Sequence, residues 1–180
     1  DTEFYHPDGT APEPFALIVS ALVPYKRIDL AIEACHLAHL PLKIVGDGPE
    51  RAALERLAAG RAEFLGRVSN DDIRNLYRRA AIVLLPGEED FGIVPLEAQA
   101  CGRPVVALKR GGSLETVRDG DTGILVDDLS VEAFTEGVER AMRTRFDSGA
   151  IRSFAEGFGR ERFGDELEAM VRGPLQADAR

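Results

Sequence analysis

The chain has 180 residues, 44% of them hydrophobic and 29% charged, with a net charge of -9. That length suits one domain with a real core and is short for two. The acidity argues against a nucleic-acid surface, and no apolar run approaches the roughly 20 residues that a membrane-spanning helix needs.

The opening DTEFYHPDGTAPEP (1–14) is polar and proline-rich. It lacks the apolar stretch of a signal peptide and reads as a linker from something upstream. FALIVSAL (15–22) is a short apolar run, the mark of a buried strand. RIDLAIEACHLAH (27–39) has helical spacing through Ile28, Ala31, Ile32, Cys35 and Ala38. LKIVG (42–46) is a strand that ends in the turn GDGPE. Residues 50–60 form a helix with Pro49 near its start and Gly60 as its stop. AEFLG (62–66) is a strand. SNDDIRNLYRRA (69–80) is a helix whose Ser69 and Asp72 make an acidic capping box. AIVLLP (81–86) is a strand. IVPLEAQACG (93–102) is a helix with Pro95 in its first turn. PVVAL (104–108) is a strand, 113–120 a short helix, and TGILV (122–126) the last strand. A helix starts at Ser130, helical sequence continues to about residue 171, and 173–180 looks frayed.

Strands that alternate with helices and read as solid apolar runs imply a parallel sheet covered on both faces. The expected fold class is α/β: a Rossmann-like, doubly wound, parallel six-stranded sheet spanning 15–172. Its ligand belongs beyond the C-terminal ends of the strands. Cys35 and Cys101 both fall in apolar helical patterns and are expected as buried, reduced thiols, which fits a reducing compartment.

Four strand-to-helix turns carry chemistry. In GEEDFGIVPLE, Gly92 allows close backbone approach to a ligand. The amides of Gly92, Ile93 and Val94 are free donors at a helix start, which suits a phosphate. Glu89 and Glu97, as carboxylates, only accept hydrogen bonds and so suit the hydroxyl groups of sugars. Acids at a helix start also compensate its dipole, but that explains one acid more easily than four. In ALVPYKR, Lys26 is a flexible cation placed where positive charge is unfavourable for the helix that follows. GDGPE has only part of a dinucleotide fingerprint, because Arg51 stands where the third glycine would be. It is either a turn that clears room for a ligand or a plain Asp-Gly turn. KRGGS offers Gly111 and Gly112 as a backbone nest before a Ser113 cap, or as an ordinary glycine loop. His36 and His39 are three apart on one helix with no third ligand near, so no metal site is expected.

These blocks resemble, in order and spacing, the C-terminal, donor-binding half of retaining glycosyltransferases with the two-domain B-type fold. More narrowly, the chain is similar to family 4, or group 1. The carriers are the E-x7-E pair Glu89 and Glu97 within EEDFGIVPLEAQACGRPVVA, the lead-in VSALVPYKRIDLAIEA, the GDGPE turn, EFLGRVS and GGSLETVRDGDTGILV. DTEFYHP looks like the family's interdomain connector.

The resemblance implies a role for each matching position. Glu89 would bind hydroxyls of the donor sugar, and the backbone of Phe91, Gly92, Ile93 and Val94 would hold sugar and diphosphate. Lys26 would offset diphosphate charge, and Glu97 would accept from the ribose. Gly46 to Gly48 would shape the nucleotide pocket, and Arg67 and Val68 would lie at the base. No cofactor and no metal are implied; the substrate is a nucleotide-diphosphate sugar, GDP-mannose first and UDP-sugars next. A glycan or lipid-linked acceptor would sit on an N-terminal domain that this chain lacks. The implied setting is the cytoplasm, with the full-length enzyme at the inner membrane face.

One departure is plain. Many members carry an arginine five residues before the lysine, and Ala21 stands there. Two competing readings are a non-catalytic nucleotide-binding module and a nicotinamide-dependent dehydrogenase. The second needs a complete glycine fingerprint after the first strand, which is missing.

Overall fold

Six apolar runs, each too short to be a stable helix by itself, pair edge to edge. The structure is a computed structural model and describes residues 1–159. Its strands are β1 (Ala16–Val19), β2 (Leu42–Val45), β3 (Ala62–Gly66), β4 (Ile82–Leu85), β5 (Val105–Leu108) and β6 (Gly123–Val126). All pair in parallel, in the spatial order β3-β2-β1-β4-β5-β6. The expected doubly wound sheet is the one observed. Strand order reverses between β1 and β4, so the loops leaving those two strands flank the switch point where such sheets bind ligands.

The helices are α1 (Ile28–Leu37), α2 (Arg51–Ala58), α3 (Asn70–Arg79), α4 (Ile93–Ala100), α5 (Ser113–Thr116), α6 (Val131–Arg143) and α7 (Ser148–Glu156). The helical sequence expected from 160 to about 171 and the tail 173–180 lie outside the described residues. Alternate strand residues feed two cores. Ala16, Ile18, Ile44 and Leu84 pack with Ile32, Leu54 and Phe134 of α1, α2 and α6. Leu17, Val83, Leu85 and Val105 pack on the other face with Tyr77, Ala98 and Ala155 of α3, α4 and α7. All four residues of β4, and all four of β5, are buried, which is why those runs lack alternation.

Local chemistry sets the helix ends. The Ser69 hydroxyl accepts from the Asp72 amide at 3.2 Å, and the Asp72 carboxylate accepts from the Ser69 amide at 3.3 Å. Ser69→Ala should therefore cost about 1 kcal/mol of stability, read as a lower urea midpoint at unchanged slope. A drop below about 0.3 kcal/mol would mean that the cap contributes little.

Two expectations need correction. α5 ends at Thr116, not at 120, because the turn behind it has its own bonds. Thr122 Oγ1 accepts from the Arg118 amide, and the Asp119 carboxylate accepts from the Leu125 amide and from Arg140. Nor is Ser113 a cap: Gly112 holds the cap position, and the Ser113 hydroxyl turns back toward the Leu108 and Arg110 carbonyls.

The first 14 residues are a strap held against the α3–α4–α7 face. Arg78 Nε donates to the His6 carbonyl at 2.8 Å and Arg103 Nη2 to the Thr10 carbonyl at 2.8 Å. Arg152 reaches the Tyr5 and Thr2 carbonyls at 3.3 and 3.4 Å. Arg74 stacks over Phe4 at 4.3 Å, and Arg79 forks onto the Glu13 carboxylate. Tyr5 is thereby buried in the core between strap and helices.

Candidate functional site

The loop after β1 folds as a single 3-10 turn, Pro24–Lys26, and Arg27 then enters α1 with φ 49°. The loop after β4 runs from Pro86 to Gly92. Gly87 joins the two. A Cβ built there would lie 2.5 Å from the Tyr25 carbonyl oxygen and 2.6 Å from Lys26 Cα, both backbone atoms. Only hydrogen fits, so the two loops touch along their backbones. That contact sets Lys26 Nζ in an ion pair with Glu89 Oε1, although the residues are 63 apart in sequence. Both side chains are mostly shielded, with 13% and 20% of their surface exposed.

Beside this pair α4 begins. Gly92, at φ 81°, is its cap, and no side chain caps the end. Among the described residues the Gly92, Ile93 and Val94 amides donate no hydrogen bond to the rest of the chain. Three free donors and the positive end of a helix dipole thus face outward next to one cation. Such an arrangement accepts a polyanion while the neighbouring carboxylate keeps lone pairs for hydroxyl donors.

Glu97 lies further along α4, half-buried. Its Oε2 accepts from the Tyr77 hydroxyl at 3.2 Å, and the Tyr5 hydroxyl approaches the same carboxylate from the strap. Burial raises its pKa above the usual carboxylate range, and the two hydroxyls oppose that rise. Burial also drives the Tyr5 phenol up to about 12, with Glu97 adding to the effect.

The remaining predicted positions surround these groups rather than join them. Gly46 and Gly48 serve the protein's own packing. A Cβ at Gly46 would sit 1.8 Å from the Ser20 carbonyl oxygen, and one at Gly48 would sit 2.4 Å from that of Leu22. Their amides are also taken, by the Gly66 carbonyl and the Asp47 side chain. Gly111 and Gly112 are likewise a brace and not an open nest, since the Gly112 amide donates to the Glu89 carbonyl at 2.7 Å. Arg67 and Val68 follow β3 at the sheet edge, with Arg67 exposed and Val68 packed on the α3–α4 core. No hydrogen bond or ion pair joins Arg67 to Lys26, Glu89 or Glu97. Arg27 is engaged elsewhere: its guanidinium forks onto the Asp29 carboxylate at 3.1 and 3.0 Å.

Phe91 and Ile93 were expected here for their backbone; their apolar side chains, with Tyr25 and Leu114, form a rim that was not. Tyr25, Phe91, Ile93 and Leu114 are large apolar side chains at least half exposed, on the turns and helix starts around the pair. Tyr25 also holds Lys26 Nζ over its ring at 4.9 Å. Apolar residues outside any buried period were the available signal. Among the described residues no cluster of three or more His, Cys, Asp or Glu side chains is placed to hold a metal. Cys35 and Cys101 are free, buried thiols, with pKa values pushed up by burial to about 12 and about 11. No helix among the described residues is long and apolar enough to cross a membrane.

A GDP-mannose-dependent alpha-(1-6)-phosphatidylinositol monomannoside mannosyltransferase of Mycolicibacterium smegmatis is 35% identical over 167 residues, covering 77% of this chain and 44% of that protein. A D-inositol 3-phosphate glycosyltransferase of Mycobacterium bovis is 37% identical over 139 residues, covering 69% of this chain and 28% of its own length. The crystal structure of Anabaena Alr3699/HepE in complex with UDP superposes with a TM-score of 0.73 at 25% identity, over 98% of this chain and 55% of that one. The chain thus spans less than half the length of these two sequence relatives. A model of the family described as "Glycosyl transferases group 1" matches residues 2–156, and the chain belongs to that family.

Proposed function

We propose that this chain is the donor-binding half of a retaining glycosyltransferase that works with an N-terminal acceptor domain absent here. One observation carries the reading: a lysine and a glutamate from two distant loops meet at an open helix start with three unengaged amides. In this reading the Phe91–Val94 backbone and Lys26 hold the diphosphate, and Glu89 accepts hydrogen bonds from the donor sugar. Glu97 accepts from the ribose. The 46–48 turn walls the nucleotide, with Gly46 and Gly48 giving the turn its shape, and Arg67 and Val68 border the base. The acceptor hydroxyl attacks the anomeric carbon as the bond from that carbon to the diphosphate oxygen breaks. The hydroxyl proton passes to the departing phosphate, so the protein supplies charge stabilisation instead of a separate base. Lys26 and the dipole of α4 carry that load, and no metal or other cofactor enters the scheme.

We propose GDP-mannose as the donor, on the strength of the mannosyltransferase relative, with UDP-sugars as the next choice. The two buried free thiols fit a reducing, cytoplasmic setting. Calorimetry of the 180-residue chain against GDP, UDP and ADP and their sugar conjugates tests the reading. Binding in the micromolar to millimolar range is expected, strongest for GDP-mannose, with no sugar transfer by the chain alone. Absence of binding to every nucleotide, or transfer by the isolated chain, would overturn it.

A further inference from the structure

We infer that Tyr77 and Tyr5 are positioning residues for Glu97, so that the N-terminal strap completes the support of the nucleotide site. This rests on the proposed contact between Glu97 and ribose. Tyr77 is fully buried in α3, and its hydroxyl bonds to Glu97 Oε2 across 20 residues of sequence. Tyr5 is 7% exposed and stacks edge-on against Tyr77, with ring centroids 5.8 Å apart. Neither ring can swing without disturbing the core, so the Tyr77 hydroxyl is a fixed donor and the Tyr5 hydroxyl is held beside the same carboxylate. A carboxylate gripped in this way has one of its two oxygens committed inside the protein. The rest of its acceptor capacity borders the cleft between α4, α7 and the strap, which Phe91 and Ile93 also line. Preorganisation of this kind lowers the cost of ordering a side chain around a ligand.

The strap is what delivers Tyr5. Backbone carbonyls on both sides of it are held by Arg152 and Arg78. The groups facing this cluster are known element by element. The strap contributes Tyr5, α3 contributes Tyr77 and Arg74, and Cys101 lies just past α4. A hydroxyl that donates to Glu97 favours its charged form. Removing one hydroxyl therefore lifts the Glu97 pKa further, and acceptance from ribose fades at a higher pH than in the wild type.

The test measures the affinity of the 180-residue chain for whichever of GDP, UDP and ADP binds most tightly, and for its 2′,3′-dideoxy analogue, between pH 5 and 8. Wild type should prefer the ribonucleotide by about 10- to 100-fold, the range for hydrogen bonds to a charged group. Glu97→Gln should remove most of that preference. Tyr77→Phe and Tyr5→Phe should each reduce it about 3- to 10-fold, leave dideoxy affinity unchanged, and move its loss toward higher pH. If Glu97→Gln keeps the full preference, the ribose contact itself fails and this inference falls with it. If Glu97→Gln loses the preference but both Phe variants keep it with an unmoved pH profile, the inference fails and the ribose contact stands. If the Phe variants weaken both analogues equally, the tyrosines are scaffold only and the inference is likewise overturned.

Discussion

Glu89→Ala in the full-length enzyme should lower sugar transfer by about 10²- to 10³-fold, the usual loss when one preorganised electrostatic partner is removed. The fold should survive. Glu89 takes part in one ion pair, partly shielded, so its removal should cost about 1–2 kcal/mol, between the values for exposed and buried pairs. Lys26→Met should match it in direction, because it removes the cation beside the helix start and leaves Glu89 without its partner. The double variant should be less impaired than the product of the two single losses, since the residues act as one unit. Initial rates at saturating donor, together with thermal unfolding, decide the matter. Rates within threefold of wild type for Glu89→Ala, at unchanged stability, would favour a nucleotide-binding module without catalysis.

Gly87→Ala should be nearly as damaging to activity while leaving every charge in place. The added methyl would meet the backbone of Tyr25 and Lys26 at 2.5–2.6 Å, and backbone cannot rotate away as a side chain can. The loop after β1 must retreat, which carries Lys26 off Glu89. Misplacement of a catalytic group by about 1 Å can cost roughly 10²-fold in rate. The overpacking itself should cost about 1–3 kcal/mol. Affinity for GDP and UDP, set beside the unfolding midpoint, separates the two effects. Wild-type affinity in this variant would show that the loop contact does not set the site.

Most of the architecture could be read from the chain. The runs 82–85 and 105–108 are solidly apolar because both faces of a central parallel strand are covered. Ser69 and Asp72 marked the start of α3 because their capping bonds are local. The Lys26 and Glu89 loops were singled out because glycine, proline and charge interrupt the apolar pattern there. Their direct pairing was not foreseen. It depends on strand order, which places β1 beside β4 and is not a local property. The close backbone neighbours of the glycines at 46, 48, 111 and 112 were not legible, because a sequence shows the lack of a side chain but not what fills the space. The Tyr5–Tyr77–Glu97 cluster escaped notice for a related reason. Each tyrosine sits in a run that reads as ordinary core or linker, and only tertiary packing brings the hydroxyls to the carboxylate.

The guanidinium bonds to the strap have a consequence for variation. Arg78, Arg103 and Arg152 bind main-chain oxygens of Thr2, Tyr5, His6 and Thr10, and every amino acid supplies such an oxygen. This part of the anchoring is therefore indifferent to the side chains at those four positions. At these four positions spelling can drift without loss of the bond, whereas Phe4, Tyr5, Asp8 and Glu13, which hold the strap through their side chains, and the arginines themselves are where replacement would be felt.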